Sequence, residues 1–289
     1  MRTGISEQAP AKVNLTLKVI GKRPDGFHEL VSLAAFASVS DLLVLVPEAD
    51  ASLCVEGPFA GDLGEDNLVL QAAEMLLEHF PNRRTGAFTL DKQLPVAAGL
   101  GGGSADAAAA LRLMERATPD PVPRETIARV AGLLGADVSV CLASKASMMR
   151  GRGDDIMQIA ALPELPSVLV NPGVALGTGD VFAALGAPPV KDACADNDAE
   201  PASFGSADEL AAYIRNTGND LEATAIKCAP VIAEVRAALR ATAGCRLAQM
   251  SGSGPTCFGI FGDADEARAA ARTLSAAHPH WWVVATQLG

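Results

Sequence analysis

The segment that most constrains this chain is Gly99-Leu100-Gly101-Gly102-Gly103-Ser104, followed directly by Ala105-Asp106-Ala107-Ala108-Ala109-Ala110-Leu111. Glycines without Cβ atoms let a backbone approach a ligand closely and turn several N–H groups toward it. Alanine and leucine then favour a helix, predicted from Ser104 to about Arg116. The unpaired N–H groups and dipole at such a helix start attract a polyanion. Ser104 stands where a hydroxyl caps the helix or meets an anionic oxygen. A glycine cluster alone is equally a flexible turn before a packed helix, so its meaning depends on the rest of the chain.

Familiar phosphate loops do not fit. No Gly-Lys-Ser/Thr occurs anywhere, which excludes G-x-x-x-x-G-K-[ST]. The fingerprint G-x-G-x-x-G fails because Ser104 occupies the place of the third glycine. The H-R-D and D-F-G elements of protein kinases are absent too.

Around this loop the chain alternates strands and helices. Val13, Leu15, Leu17 and Val19 alternate with Lys12, Asn14, Thr16 and Lys18, the period of a half-buried strand. Arg23-Pro24-Asp25-Gly26 supplies a turn, and further strands are predicted over 30–39, 42–46, 52–55 and 88–91. Asp66 reads as the N-cap of a helix through Leu68, Ala72, Met75 and His79. After the loop helix come a helix over 124–134 and strands over 138–142 and 147–150. A second half opens near Leu162 with a strand over 168–170, and the Asp-, Ala- and Pro-rich 188–206 reads as a loop. Helices over 207–215, 220–227 and 230–242, strands over 246–250 and 257–261, a helix over 264–277 and a strand over 281–286 complete it. This order fits an α+β chain with helices on one face of a mostly antiparallel sheet. A length of 289 residues is comfortable for two domains.

Composition narrows the partners. With 23 basic against 34 acidic residues the net charge is −11, which on average repels nucleic acid and anionic membrane. The N-terminus lacks the apolar core of a signal peptide, and no stretch reaches the roughly twenty apolar residues of a membrane span. A cytoplasmic protein acting on a small molecule is expected. Cys54, Cys141, Cys194, Cys228, Cys245 and Cys257 form no C-x-x-C pair, so neither a zinc site nor a disulfide framework is expected. The four histidines, His28, His79, His278 and His280, show no metal-ligand grouping.

Three motifs in order carry a family resemblance. Pro95-Val96-Ala97-Ala98-Gly99-Leu100-Gly101-Gly102-Gly103-Ser104-Ala105 resembles the P-x-x-x-G-L-G-S/G-S/G-S-A signature of the GHMP kinase superfamily. Ala9-Pro10-Ala11-Lys12-Val13-Asn14-Leu15 and Met250-Ser251-Gly252-Ser253-Gly254-Pro255-Thr256-Cys257 resemble its first and third motifs. Lys12–Leu15, Arg23–His28, Glu65–Leu68 and Gly135–Val138 are similar to one branch of that superfamily, which acts on a cytidine-diphosphate-linked methylerythritol.

The resemblance implies a two-domain fold, with an N-terminal domain over 1–160 and a ferredoxin-like C-terminal domain over 161–289. The first is like the second domain of a small-subunit ribosomal protein, and whether the last strand returns to it is left open. It implies ATP as co-substrate, with Mg²⁺, and transfer of its γ-phosphate to the 2-hydroxyl of the cytidine-linked substrate in the non-mevalonate isoprenoid route. Residues Pro95, Val96, Ala97, Ala98, Gly99, Leu100, Gly101, Gly102, Gly103, Ser104 and Ala105 then hold the triphosphate. Asn67 and Lys92 fall on the base and ribose side, although each is equally a solvated surface residue.

By the same resemblance Asp137 is the general base and Lys12 the ammonium beside it, a neighbour that favours the ionised carboxylate. From the residues alone, Asp137 is as readily a turn cap and Lys12 a solvent-facing strand lysine. The resemblance further implies that Phe27 and His28 meet the cytosine, that Phe182 is the second aromatic of that sandwich, and that Asn14 contacts substrate. Phe182 equally suits a core helix, and Asn14 the exposed face of a strand. Phe27 stands where tyrosine is usual, keeping the ring and losing the hydroxyl; Ala105, where this branch often has a second serine, and Ser139, where it usually has proline, are further departures from the branch. A homoserine or mevalonate type of kinase, or a non-catalytic protein on the same fold, remains the alternative.

Overall fold

The computed structural model describes residues 4–47, 49–62, 67–80, 85–117, 122–160, 162–190 and 203–289. In chain order its strands and helices are β1 (Ile5–Asn14), β2 (Lys18–Lys22), β3 (His28–Val46), β4 (Ser52–Glu56), α1 (Leu68–Glu78), β5 (Ala87–Asp91) and α2 (Gly102–Arg116). There follow α3 (Arg124–Leu134), α4 (Ala136–Ala143), β6 (Ser147–Gly151), β7 (Asp155–Gln158), β8 (Leu165–Asn171) and α5 (Thr178–Leu185). The last are α6 (Ala207–Thr217), α7 (Glu222–Cys228), α8 (Val231–Ala241), β9 (Leu247–Met250), β10 (Cys257–Ile260), α9 (Ala264–Ala277) and β11 (Trp282–Leu288). Two compact units divide the chain, and each is discontinuous. One comprises Met1–Lys12, Ser40–Val96 and Gly101–Ser144; the other comprises Val13–Val39, Ala97–Leu100 and Lys145–Gly289.

In the first unit β5 lies parallel to β4 and antiparallel to Leu42–Val46 of β3. Helices α1 to α4 pack on one another. α2 is buried nearly all round, through Ala105, Asp106, Ala107–Ala110, Leu111, Leu113 and Met114. Only small side chains allow a helix to be enclosed so closely, which is what the alanine run supplies.

In the second unit β8 to β11 form an antiparallel sheet in the order β9-β10-β8-β11. Helices α8 and α9 pack against it, over a core that includes Val168, Val170, Val235, Phe261 and Leu274. Strand–helix–strand–strand–helix–strand connectivity in this order is ferredoxin-like, as expected for the C-terminal part. β2, the start of β3, β6 and β7 form further antiparallel pairs, and Leu288 at the end of β11 pairs with Ala37 of β3.

Several local expectations are corrected. Residues 138–142, read as a strand, lie inside α4, because a short apolar run has no period of its own and packing on α2 and α3 decides its form. The strands expected over 30–39 and 42–46 are one strand, β3, which Asp41 does not interrupt because its carboxylate is buried and hydrogen-bonded. The cap of α1 is Asn67, whose side chain accepts from the amide of Val69; Glu65 and Asp66 lie outside the described residues, as do Cys194 and 191–202 of the expected loop. α2 starts at Gly102, two residues early, with Gly101 as N-cap and no side-chain cap from Ser104. Lys12 and Asn14, on the polar phase of the first strand's alternation, are buried like Val13 and Leu15, so that strand is covered on both faces.

Candidate active site

The glycine loop is divided between the units after Leu100, and its two parts are held by different partners. In the first unit Lys12, on β1, donates from Nζ to Oδ1 of Asp137 at 2.5 Å. The Lys12 side chain is 4% exposed whereas Asp137, in the first turn of α4, is 40% exposed. The ammonium is therefore locked, while the carboxylate keeps an open side for a reactant. Gly101 abuts this pair: a Cβ there would lie 3.3 Å from Lys12 Cβ and Cε and 3.8 Å from Asp137 Oδ2. Its φ of +60° independently calls for glycine. The first hydrogen bond of α2 runs from Ala105 N to Gly101 O at 2.8 Å, so the amides just before it are the unpaired donors of a helix start.

Beneath this start lies a buried ionic cluster. Lys92, expected on the nucleotide's base and ribose side, is 1% exposed, and its Nζ donates to Asp41 and, at 2.7 Å, to Asp106. Asp41 Oδ1 also accepts from the amides of Gln93 and Leu94 at 2.6 and 2.8 Å, which fixes the chain as it enters the loop. Burial pulls the Lys92 ammonium down, but the charges of Asp106 and Asp41 outweigh it and leave the pKa raised. Arg112 of α2 donates to the carbonyls of Cys141 and Leu142 on α4 and of Gln8 on β1, and pairs with Glu7, tying together the elements that carry Lys12 and Asp137. The thiol of Cys141 is pushed up to about 12, by burial first and then by Asp137. It is a packed group, not a nucleophile.

In the second unit, residues 97–100 rest on the third motif. Ser251 Oγ donates to Gly99 O at 2.9 Å, and the Thr256 amide to Ala98 O at 3.3 Å. A Cβ on Gly99 would fall 2.6 Å from Gly254 O and 2.8 Å from Ser251 O, a backbone approach that only glycine permits. Asn14 donates its amide to Ser251 Oγ at 3.1 Å and its side-chain Nδ2 to Ser32 Oγ at 2.7 Å. Asn219 steadies the same loop through the carbonyls of Met250 and Gly252.

The second unit also holds a groove of about 380 Å³, lined by Phe27, His28, Phe182, Arg152, Lys22 and Thr178 among others. The rings of His28 and Phe182 lie 4.8 Å apart, tilted by 30°. Phe27 is 55% exposed, with the Arg152 guanidinium 5.0 Å from its ring centre. Burial, then the charge of Lys22, lowers the His28 pKa, so the neutral ring, one donor and one acceptor, is favoured. The three aromatic residues expected to act together thus share one groove. Lys22 and Arg152 were missed, since isolated basic residues near a turn carry no signal. Asp41 and Asp106 were missed as well, although a lone acid inside an alanine helix was the trace that Asp106 left.

Comparison with known proteins gives the chain its family. Residues 67–145 match the family model "GHMP kinases N terminal domain" and residues 194–280 match "GHMP kinases C terminal". The chain is 52% identical to a 4-diphosphocytidyl-2-C-methyl-D-erythritol kinase of Rhodopseudomonas palustris, over 98% of this chain and 97% of the relative. It is 50% identical to one of Parvibaculum lavamentivorans, over 99% and 98%. A crystal structure of 4-(cytidine 5'-diphospho)-2C-methyl-D-erythritol kinase superposes with a TM-score of 0.77 at 35% identity, covering 99% of each chain. A homoserine kinase from Cytophaga hutchinsonii, at 18% identity and a TM-score of 0.67 over 99% of this chain and 95% of its own, shares the fold. The chain belongs to the GHMP kinase family, among the 4-diphosphocytidyl-2-C-methyl-D-erythritol kinases.

Proposed function

We infer that this enzyme transfers the γ-phosphate of ATP to the 2-hydroxyl of 4-diphosphocytidyl-2-C-methyl-D-erythritol. The observation that carries the mechanism is the Lys12–Asp137 pair, 2.5 Å between Nζ and Oδ1, set against Gly101 at the start of α2. Asp137 accepts the hydroxyl proton as the substrate oxygen bonds to the γ-phosphorus, and the bond from that phosphorus to the β-phosphate oxygen breaks to release ADP. Lys12 keeps the carboxylate oriented and offsets negative charge developing beside it. The amides at the start of α2 and the 97–100 turn hold the triphosphate. Asn67 uses its side chain to cap α1, so any contribution to the base comes from the segment it fixes.

Mg²⁺ is expected with the triphosphate, whose oxygens are its usual ligands. Among the described residues no three His, Cys, Asp or Glu side chains cluster to hold a metal. The aromatic groove is the place for cytosine: Phe27 and Phe182 offer π-faces and neutral His28 a donor and an acceptor. Homoserine and mevalonate carry no base to occupy it. Asn14, held by Ser32 and Ser251, orients the third-motif loop and, in this reading, the substrate. The domain division at 1–160 and 161–289 is part of this reading; one family model falls on each side of it, whereas 13–39 and 145–160 belong to the second compact unit. No helix among the described residues is long and apolar enough to cross a membrane; a reaction in the cytoplasm is part of this proposal.

The test is ADP release by purified protein with Mg-ATP and, in turn, the cytidine-linked substrate, homoserine and mevalonate. Turnover with the first alone supports the reading. Turnover with either of the others, or with none, defeats it.

A further inference from the structure

The Asp41–Lys92–Asp106 cluster is more than a packed ion pair. It contains two carboxylates and one ammonium, so with both acids ionised it carries one net negative charge directly below the anion-facing start of α2. Lys92 Nζ lies 3.1 Å from where a Cβ on Gly102 would sit, which places the cluster against the first residue of that helix. Asp106 is four residues further along, one turn into the helix. Its Oδ2 accepts from Lys92, but its buried Oδ1 has no hydrogen-bond partner among the described residues. A charged oxygen left bare costs more than a neutral carboxylic acid in the same place. Asp41 has no such deficit, because its oxygens accept from Lys92 and from two backbone amides.

We propose that Asp106 takes up a proton from solvent when nucleotide phosphates settle on the loop, so that the cluster beneath them becomes neutral. Asp106 then acts as a positioning residue for the phosphate loop, touching no substrate itself. The inference rests on the kinase reading. In the nucleotide-free chain burial already pushes the Asp106 carboxyl up to about 7, against the opposing pull of Lys92 and with Asp41 adding to the rise. A polyanion one turn away adds in the same direction, since negative charge favours the neutral acid. The charged groups facing Asp106 are Lys92, from the segment after β5, and Asp41, on β3. From α4 the Cys141 thiol senses its charge, together with those of Asp137 and of Lys12 on β1 and Arg112 on α2 itself, while α1 buries the apolar Val69, Ala72, Ala73 and Leu76.

By linkage, binding coupled to uptake of one proton weakens as pH rises through the free carboxyl's range, by at most about tenfold per pH unit. The variant Asp106→Asn keeps an oxygen to accept from Lys92 and is neutral at every pH. Mg-ADP affinity is measured by calorimetry from pH 6.5 to 8.5 on both proteins, in buffers of different ionisation enthalpy to count protons. The wild type is expected to take up more protons than the variant at pH 7.5, and to weaken more steeply with pH. At pH 8.5 the variant should bind more tightly than the wild type, a gain that a merely structural ion pair does not give. Equal proton uptake, or a variant weaker at every pH, overturns the proposal. If the variant does not fold, infrared spectroscopy of the wild type decides: Mg-ADP at pH 7.5 should raise a protonated-carboxyl band, and its absence overturns the proposal. Failure of the wild type to bind Mg-ADP at any pH would instead overturn the kinase reading itself.

Discussion

The polar cluster around Lys12, Asp137 and Lys92 and the aromatic groove around Phe27, His28 and Phe182 are built on opposite principles. In the first, both ammonium groups are buried and each is held by carboxylates, so the geometry is set before any ligand arrives. In the second, Phe27 is largely exposed beside the Arg152 guanidinium and the His28 and Phe182 rings meet at a tilt, contacts that tolerate small shifts. Chemistry needs atoms fixed within a few tenths of an ångström, whereas a base slides between rings at little cost. The difference predicts that substitutions in the cluster act on turnover or stability, and those in the groove on substrate affinity.

The largest effect expected is on kcat. Asp137→Asn should lower it by about a thousandfold with KM for ATP changed less than about threefold, since a positioned general base is worth 10² to 10⁴; Lys12→Ala should likewise lose turnover more than nucleotide affinity. A steady-state assay with both substrates varied checks this, and a variant as active as the parent would break the comparison at its firmest point. Next comes stability. Lys92→Met leaves two buried carboxylates without their cation and should cost about 3–5 kcal/mol by denaturant melts, whereas Phe27→Ala should cost less than about 0.5 kcal/mol at its exposed position.

Within the groove, Phe182→Ala should raise KM for the cytidine-linked substrate about tenfold, as stacking on one ring is worth about 1–3 kcal/mol, while kcat is retained. Acid should have a smaller, graded effect through His28. Its folded pKa lies below 6.5, so the neutral ring and the stability it contributes are fully present above pH 6.5 and are lost as pH falls through the folded value. KM for the cytidine-linked substrate should rise over that same interval, and His28→Gln should flatten the rise. The least effect belongs to Phe27→Tyr, which restores a hydroxyl to an exposed ring and should move KM by less than about twofold. A large gain would show that stacking alone does not define the groove.

Legibility in the sequence followed the same divide. The helices over 124–134 and 264–277 were readable to the residue, because each has its own apolar stripe and turn chemistry at its ends. α4 was not, since Val138, Val140 and Cys141 are buried by neighbours that no local pattern reveals. The aromatic residues could be grouped through motif likeness, and Lys12 with Asp137 likewise. The burial of Lys12 and Lys92 could not be foreseen: a lone lysine on a strand, or one flanked by Asp91 and Gln93, reads as solvent-facing until its carboxylate partners, 125 and 51 positions away for Asp137 and Asp41, are known. Ion pairs between distant segments leave no periodicity behind.

The grip of Ser251 on Gly99 spans 152 positions of chain. A nascent polypeptide therefore reaches residue 100 with the 97–100 turn still unsupported, and the carbonyls of Ala98 and Gly99 wait for Thr256 and Ser251 to leave the ribosome. An N-terminal fragment can carry every residue of the signature and still lack its working shape. Competence thus arrives late in synthesis, when the C-terminal segment closes over what the N-terminal one began.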